Sequence, residues 1–328
     1  MDTVGLAGRR QFLAVSSALL GAQLVYAQQA GRIHRIGFLS TSGSGGAELR
    51  RTLLDGLREV GYVEGRNLEV LLRHGDGKVE LLPEAANELV RTRPDVIVTS
   101  INATTRAALK ATRTIPIVMV IGTGVVEEGF IASLARPGGN VTGLTWGVDT
   151  GQIAKRFEFL KETIPQVSRI AVLWDPGQDA AITRSALERG AAAVGARLIL
   201  LEFQNDLDAL FATAAREGAQ ALVTGGGARM FRRRKDVVAL AAKHRLADVH
   251  YASEFVETGG LMSYAPSLSG NYKRAAAYVD RILKGARPAD LPVEQPTRFE
   301  LVVNLQAARV RGITMPRSIL LRADRVIE

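Results

Sequence analysis

The sequence alternates short apolar runs with segments of helical apolar spacing, and it does so in two successive series. The first series extends from about residue 35 to 121 and the second from about residue 169 to 244. Apolar runs without polar alternation are typical of strands that are covered on both faces, as in a parallel sheet between helices. Two such series predict an α/β protein with two doubly wound, Rossmann-like lobes joined by a hinge.

The chain after residue 256 breaks this alternation. A strand at 260–264, a helix at 271–283 and a strand at 299–303 follow one another, and Asn304 is a candidate N-cap for a last short helix. A chain that completes both lobes this late crosses between them more than once. We therefore expect lobe 1 to hold residues 32–146 plus about 257–292, and lobe 2 to hold 147–256 plus about 293–328, with a cleft between them where ligands bind.

The first 27 residues have the layout of an export signal. Arg9 and Arg10 precede an apolar run at 14–22, and Ala27 ends a segment with small residues at a cleavage position. This pattern predicts a signal peptide over residues 1–27, similar to twin-arginine signals, and a periplasmic mature protein. The run is shorter than the roughly 20 apolar residues that cross a bilayer. An amphipathic N-terminal helix that is retained is the alternative.

Composition excludes several classes of site. The chain has no cysteine, which excludes disulfides, thiolate nucleophiles, cysteine-ligated metals and a lipid-modified cysteine. The net charge is +9, but the basic residues are mostly scattered, and the one dense run at 229–235 is typical of a solvated helix face. Contact of that run with a membrane or a permease remains an alternative. We expect a monomer with no nucleic-acid partner.

Candidate binding residues follow from the topology, because ligands bind beyond the carboxyl ends of strands in open parallel sheets. The loops at those ends carry hydroxyls, amides and glycines, which suit a carboxylate or another anion at helix N-termini. The alternative is that these are ordinary turn residues. The candidates from these loops are Ser40, Thr41, Ser100, Asn102, Thr104, Gly122, Thr123, Asp175, Gly225 and Gly226.

Two further candidates, Tyr251 and Glu254, follow the last βα unit of the second series. A tyrosine offers a stacking face and a hydroxyl, and a glutamate at this place is suited to pair with a ligand ammonium. The alternatives are a half-buried packing role for the tyrosine and a surface or first-turn position for the glutamate.

No catalytic, metal or cofactor motif emerges. Glu48 stands where the third glycine of a dinucleotide fingerprint belongs, and Gly225-Gly226-Gly227 is not followed by Lys-Ser/Thr. The four histidines are not spaced as metal ligands, and no Gly-x-Ser-x-Gly elbow occurs. We therefore expect no catalytic residues, no metal site and no cofactor.

Six ordered blocks carry a family resemblance that covers residues 32 to 328. The blocks are 65–68, 93–98, 111–118, 135–143, 259–264 and 291–296. Together they resemble the ABC-transporter substrate-binding proteins of the tryptophan/tyrosine-binding type. That resemblance implies a type I periplasmic-binding-protein fold, closure of two lobes on a small ligand, delivery to an ABC permease and no catalysis. It also implies that the strand-end loops, with Tyr251 and Glu254 near the hinge, contact the ligand.

This chain departs from the family pattern in the loops that would contact the ligand. Gly124-Val125 replaces an Asp-Pro step that is frequent after the fourth strand, and Gly225-Gly226-Gly227 replaces a Pro-Asp type loop. The loss of a carboxylate at 124 leads to the hypothesis of a ligand without an ammonium group, so an amino acid and a simple carboxylate both stay open. The alternatives to a solute receptor are an exported α/β enzyme and a cytosolic ligand sensor of the same fold.

Overall fold

The computed structural model describes residues 32–41, 43–147, 150–175 and 180–328, and it contains two separate sheets. The first sheet is wholly parallel, with strand order β2-β1-β3-β4-β5. Its elements, with the three helices that follow β1, β2 and β3, are β1 (His34–Ser40), α1 (Gly43–Glu59), β2 (Leu68–His74), α2 (Leu82–Arg91), β3 (Val96–Ile101), α3 (Asn102–Ala111), β4 (Ile117–Gly122) and β5 (Val141–Thr145).

The second sheet has seven strands in the order β12-β11-β10-β9-β8-β6-β7, and only β11 against β10 is antiparallel. Its first part contains α4 (Thr150–Thr163), β6 (Arg169–Trp174), α5 (Ala180–Ala193), β7 (Arg197–Glu202), α6 (Leu207–Arg216), β8 (Ala221–Thr224), α7 (Ala228–Arg232), α8 (Arg234–Lys243) and β9 (Ala247–His250). The remaining elements are α9 (Ser253–Glu257), β10 (Met262–Ala265), α10 (Leu268–Leu283), β11 (Glu300–Asn304), α11 (Leu305–Arg311), α12 (Arg317–Arg322) and β12 (Arg325–Ile327).

Each sheet lies between two helical layers, which explains the unbroken apolar runs of its strands. In β1, Phe38 faces the layer of α1 and α10, and Leu39 faces the layer of α2 and α3. In β6, Val172 faces the side of α4 and α5, and Leu173 faces the side of α6 and α8. Both faces of these strands are therefore removed from water, as the sequence predicted, and the α/β fold with two parallel-sheet lobes is confirmed.

The lobes exchange chain segments. Strand β10 pairs with β9 and β11, so it belongs to the second sheet, although the sequence placed lobe 1 from about residue 257. Helix α10 then packs on α1 and β4 of the first lobe, and Glu294 forms a bridge beside Leu144 at the edge of the first sheet. The third crossing leads to β11. The described elements therefore change lobe three times: between β5 and α4, between β10 and α10, and between Glu294 and β11.

Buried hydrogen bonds hold the returning segment on the first lobe. The Asn271 amide on α10 donates to the carbonyls of Val120 (3.1 Å) and Thr145 (3.3 Å), at the ends of β4 and β5. The Thr142 hydroxyl donates to the Leu291 carbonyl over 2.7 Å. Because these polar groups are buried, the bonds fix where the segment docks.

Local sequence signals were mostly reliable. The predicted N-cap role of Asn304 is confirmed, since its amide oxygen accepts from the amide of Ala307 (2.8 Å), and the Asp206 carboxylate caps α6 in the same way through the amide of Ala209 (3.0 Å). At the end of the second series, the chain is broken at Arg233 into two helices, α7 and α8. Residues 1–27, the predicted signal peptide, lie outside the described residues. None of the described helices is long and apolar enough to cross a membrane.

Two tyrosines on α10 offer a matched test of burial and hydrogen bonding. Both rings are buried, but the Tyr278 hydroxyl donates to the Pro292 carbonyl over 2.7 Å, whereas the Tyr272 hydroxyl has no partner among the described residues. We expect Tyr278→Phe to lower the free energy of unfolding by about 1 kcal/mol, because it removes a satisfied hydrogen bond. Tyr272→Phe should leave that free energy unchanged or raise it, because it removes an unpaired buried hydroxyl. Urea unfolding followed by tryptophan fluorescence measures both, and equal losses would contradict the assignment.

Candidate functional site

The predicted site residues lie where the strands of both lobes end. Ser40, Ser100 and Gly122 close β1, β3 and β4 in the first lobe. Asp175 follows β6, and Tyr251 follows β9 in the second lobe. The structure therefore places every candidate at a strand end or in the loop or first helical turn beyond it. The candidates differ in how much of their hydrogen-bonding capacity is used within the protein.

In the first lobe, Asn102 is used to join two loops. Its amide donates to the Thr123 carbonyl over 2.7 Å, and its carbonyl oxygen accepts the Thr123 backbone N–H over 3.0 Å. A weaker contact of 3.4 Å reaches Glu128, which is paired with Arg106. Asn102 thus fixes the shape of the first-lobe edge and has little hydrogen-bonding capacity left for a ligand.

The neighbouring hydroxyls differ in how far they are occupied. The buried Thr104 hydroxyl donates to the Ile101 carbonyl (2.7 Å) and accepts the Ile101 amide (3.0 Å), so it caps α3. Ser100 lies 3.5 Å from Thr104, at the limit of hydrogen bonding. Ser40 is buried at the end of β1, and the partly buried Thr41 uses its carbonyl to accept the Gly77 amide over 2.7 Å.

In the second lobe, Asp175 is held by an arginine that belongs to the dense basic run. Its carboxylate accepts the Arg229 Nε over 3.1 and 3.2 Å, and also contacts Nη2. These hydrogen bonds raise the pKa of Arg229. Gly227 makes the arrangement possible, because its φ is +126° and a Cβ there would stand 2.3 Å from the Asp175 Cβ.

Tyr251 and Glu254 follow β9 in the second lobe. The Tyr251 hydroxyl donates to the Gly227 carbonyl over 2.7 Å, and burial raises the pKa of that hydroxyl, so the side chain is neutral. Burial, with smaller contributions from Glu257 and Glu48, raises the pKa of Glu254 to about 7. The Glu254 Oε2 atom is buried and has no partner among the described residues. An unpartnered buried carboxylate oxygen at a cleft is suited to accept a ligand donor.

The lobes touch beyond the ends of β1, β2 and β8, and this contact region is called the lip. Glu48 on α1 of the first lobe pairs with Arg234 on α8 of the second lobe over 2.7 Å. The Arg232 guanidinium approaches Gly77 so closely that a Cβ on Gly77, whose φ is +83°, would stand 2.9 Å from Nη2. Because these partners lie on different lobes, the contacts form only when the lobes are close together.

The sequence suggested that the basic run at 229–235 is a solvated helix face. In the structure, three of its arginines form ion pairs instead. Arg229 pairs with Asp175, Arg233 with Asp236, and Arg234 with Glu48. The clustering of arginines was visible in the sequence, but the partners were not, since they lie up to 186 residues away.

A buried polar network lies behind the site. His250 contacts Asp248 over 2.8 Å and Thr224 over 3.4 Å, in the order of an acid, a base and a hydroxyl. All three side chains are fully buried, the Thr224 hydroxyl accepts the Tyr251 amide, and Asp248 also pairs with Arg311. A substrate does not reach Thr224 in this arrangement, so the network is structural here. Within the described ranges, no cluster of three or more histidine, aspartate or glutamate side chains is placed to hold a metal ion.

Another cavity lies away from the strand ends. A surface groove of about 520 Å³ is lined by Leu134, Arg274, Val293 and Glu294 and by residues next to them. Arg274 and Glu294 pair with one another, so the groove presents no unpaired charge of this pair to a ligand. None of the predicted site residues lines it.

Comparison with known proteins settles the family. The model of the ABC transporter substrate binding protein family matches residues 39–327. The chain belongs to this family. The resemblance noted in the sequence is thereby confirmed, and the family's members bind substrates rather than transform them.

The most informative relatives agree with this assignment. A tyrosine-binding protein of Clostridioides difficile is 29% identical over 129 residues, which is 39% of this chain and 36% of that protein's length. The crystal structure of a conserved domain protein from Vibrio cholerae covers 90% of this chain and 100% of its own, with 27% identity and a TM-score of 0.79. An ABC domain in complex with L-Trp from Streptococcus pneumonia covers the same shares, with 23% identity and a TM-score of 0.78. The last likeness shows the fold, which is the type I periplasmic-binding fold.

The Gly225-Gly226-Gly227 loop offers a matched pair of substitutions. Both Gly226 and Gly227 have a positive φ, of +112° and +126°, but only a Cβ on Gly227 would meet Asp175. Alanine at either position should cost about 1–3 kcal/mol of stability through backbone strain, and Gly227→Ala should cost more because it displaces Asp175 from Arg229. In an Asp175→Gly background the extra cost should vanish. Urea unfolding of the four alanine variants and of their two parents, the native protein and Asp175→Gly, measures these costs. Equal costs at 226 and 227 in the native background would refute the contact.

Proposed function

We propose that this protein is the periplasmic substrate-binding component of an ABC importer, which captures an amino acid or a small carboxylate between its lobes and delivers it to a permease. The observation that carries the proposal is the ion pair between Glu48 and Arg234, which joins the two lobes beyond the ends of β1 and β8, where the ligand would enter. Family membership supports the transport role, and the export signal predicted over residues 1–27 supports the location.

Lobe closure explains how binding is coupled to delivery. A ligand that contacts strand ends of both lobes stabilises the closed arrangement, because only there are its contacts complete. The Glu48–Arg234 pair adds a contact of the closed form alone, and Glu48 then lies close enough to Glu254 to affect its pKa. A permease that recognises the closed lip thus distinguishes the loaded from the empty receptor, with the protein acting as a monomer.

The protonation state of Glu254 distinguishes the two ligand classes of the proposal, amino acids and simple carboxylates. An α-amino acid carries an ammonium, which pairs best with an ionised Glu254, whereas a simple carboxylate pairs best with a protonated one that donates its hydrogen. Because the pKa of Glu254 is raised to about 7, both forms are present near neutral pH. Glu257, Glu48, Arg234 and Tyr251 are the other titratable or charged groups that act electrostatically on, or together with, this carboxyl group.

Isothermal titration of residues 28–328 with L-tyrosine, L-tryptophan and 3-(4-hydroxyphenyl)propionate tests the proposal. A ligand at about 100 times its Kd should also stabilise the fold by roughly 2.7 kcal/mol, which thermal unfolding detects. Binding of any of these probes supports the receptor function. If a panel extended to other amino acids, dicarboxylates and sugars yields neither heat nor thermal stabilisation, the proposed function is rejected.

The pH dependence of the affinity then identifies the ligand class. An amino acid should bind about 10- to 30-fold more tightly at about pH 8 than at about pH 5.5, because Glu254 must lose its proton. A simple carboxylate should show the opposite slope. Glu254→Gln should flatten either profile. Glu257→Gln, a neighbour on the same helix, should keep the affinity at high pH and move the midpoint to lower pH, because it removes one cause of the raised pKa. Unchanged profiles in both variants would contradict the role of Glu254.

A further inference from the structure

One buried charge in the second lobe has no counter-ion among the described residues. Arg156 on α4 is only 3% exposed, yet its polar contacts within the described residues are to backbone carbonyls: Nη1 donates to Thr224 over 2.6 Å, and Nε lies 3.5 Å from Gln152. Burial lowers the pKa of Arg156 to about 10, so the guanidinium still carries its charge at neutral pH. A buried ion without a partner of opposite charge is costly and calls for one.

Arg311 shows what a structural arginine of this lobe looks like. It is similarly buried, at 7% exposure, and its guanidinium pairs with Asp248 over 3.1 Å in addition to binding the carbonyls of Leu246 and Gly259. The fold therefore supplies a carboxylate where an arginine serves only to hold the lobe together. Arg156 also contacts backbone carbonyls, but no carboxylate among the described residues pairs with it.

The guanidinium of Arg156 lies at the cleft end of the second sheet. Its contact with the Gln152 carbonyl directs the side chain back toward the start of α4, beside the crossing at Gly147. Its partner Thr224 is the last residue of β8, just before the Gly225-Gly226-Gly227 loop. The Tyr251 amide donates to the Thr224 hydroxyl, and the Tyr251 hydroxyl reaches the far end of the same loop. Arg156 and Tyr251 also interact electrostatically.

We propose that Arg156 is the anion-binding residue of the cleft, and that the carboxylate of the ligand supplies the counter-ion that the second lobe leaves out. The inference rests on the proposed receptor function and deepens it, because it requires the ligand to carry a carboxylate whether or not it carries an ammonium. A guanidinium presents several N–H donors in a plane that matches a carboxylate. A neutral amide or an amine of the same shape cannot replace that charge.

Matched acid and amide probes test this inference. L-tyrosine and L-tryptophan should bind the native protein about 10- to 150-fold more tightly than L-tyrosinamide and L-tryptophanamide, which is the range for a lost hydrogen bond to a charged group. The Arg156→Met variant should lose this preference by weakening the binding of the acids while the amides bind as before. Arg156→Lys, which keeps the charge but not the planar geometry, should retain an intermediate preference.

Arg311→Met is the control for a buried arginine that has its own carboxylate. It should lower the thermal stability and leave the ratio of acid to amide affinity unchanged. If Arg156→Met does not fold, the native protein and Arg156→Lys still decide the question through that ratio. Equal binding of acids and amides by the native protein, or an unchanged ratio in a folded Arg156→Met, overturns the role of Arg156. Binding of amines or sugars with no binding of any acid overturns it too, but leaves the receptor function in place.

Discussion

The return of the chain to its first lobe is the constraint on which the rest of this structure depends. Helix α10 and the segment that ends at Glu294 cover one face and one edge of the first sheet, although they follow almost the whole second lobe in sequence. Asn271 and Thr142 hold this segment through buried hydrogen bonds. The chain therefore crosses between the lobes three times, and the first and third crossings lie side by side, since a Cβ on Gly147 would stand 3.1 Å from the Pro296 Cγ.

Charge placement follows from this arrangement. Where the second lobe needs internal rigidity, it buries a complete network of Asp248, His250 and Arg311. Where it faces the first lobe, charges are left with partners across the gap or without partners, as for Arg234 and Glu254. Because unpaired buried charge is costly, such positions are stable only with a complementary group at hand.

The architecture could be predicted because it follows from local apolar patterns, which do not depend on contacts with residues distant in the sequence. Unbroken apolar runs indicated strands covered on both faces, and the caps at Asp206 and Asn304 marked helix starts. Strands β5 and β9 were missed, since they are short and β5 contains Gly143. The lobe that β10 joins was also misplaced, because pairing between distant strands leaves no local signal.

The sequence placed the candidate residues at the ends of strands, where the structure has them, but it did not predict their hydrogen-bond partners. Topology alone brought the strand-end residues to one edge, yet it did not reveal that Asn102 and Thr104 are occupied with backbone groups. Arg156 was not among the predicted residues, because it lies inside a helix and not in a strand-end loop. Its signal was nevertheless present: Ile153, Phe157 and Leu160 mark the apolar stripe of α4, and Arg156 occupies the i+3 position of that stripe. A charged residue at a core position of an amphipathic helix is a stronger pointer than a polar residue in a turn.

The docking of α10 also determines the order in which the molecule can be completed. Thr142 and Leu291 are 149 residues apart, so the amino-terminal half of the chain is synthesised long before the helix that covers it. Until then the face of β1, β3 and β4 that carries Phe38 is open to water, because the Tyr272 ring that packs near it has not arrived. Such long-range closure slows folding and leaves the growing chain prone to aggregation. The connectivity that joins the two lobes in the finished protein thus delays completion of the first lobe during synthesis.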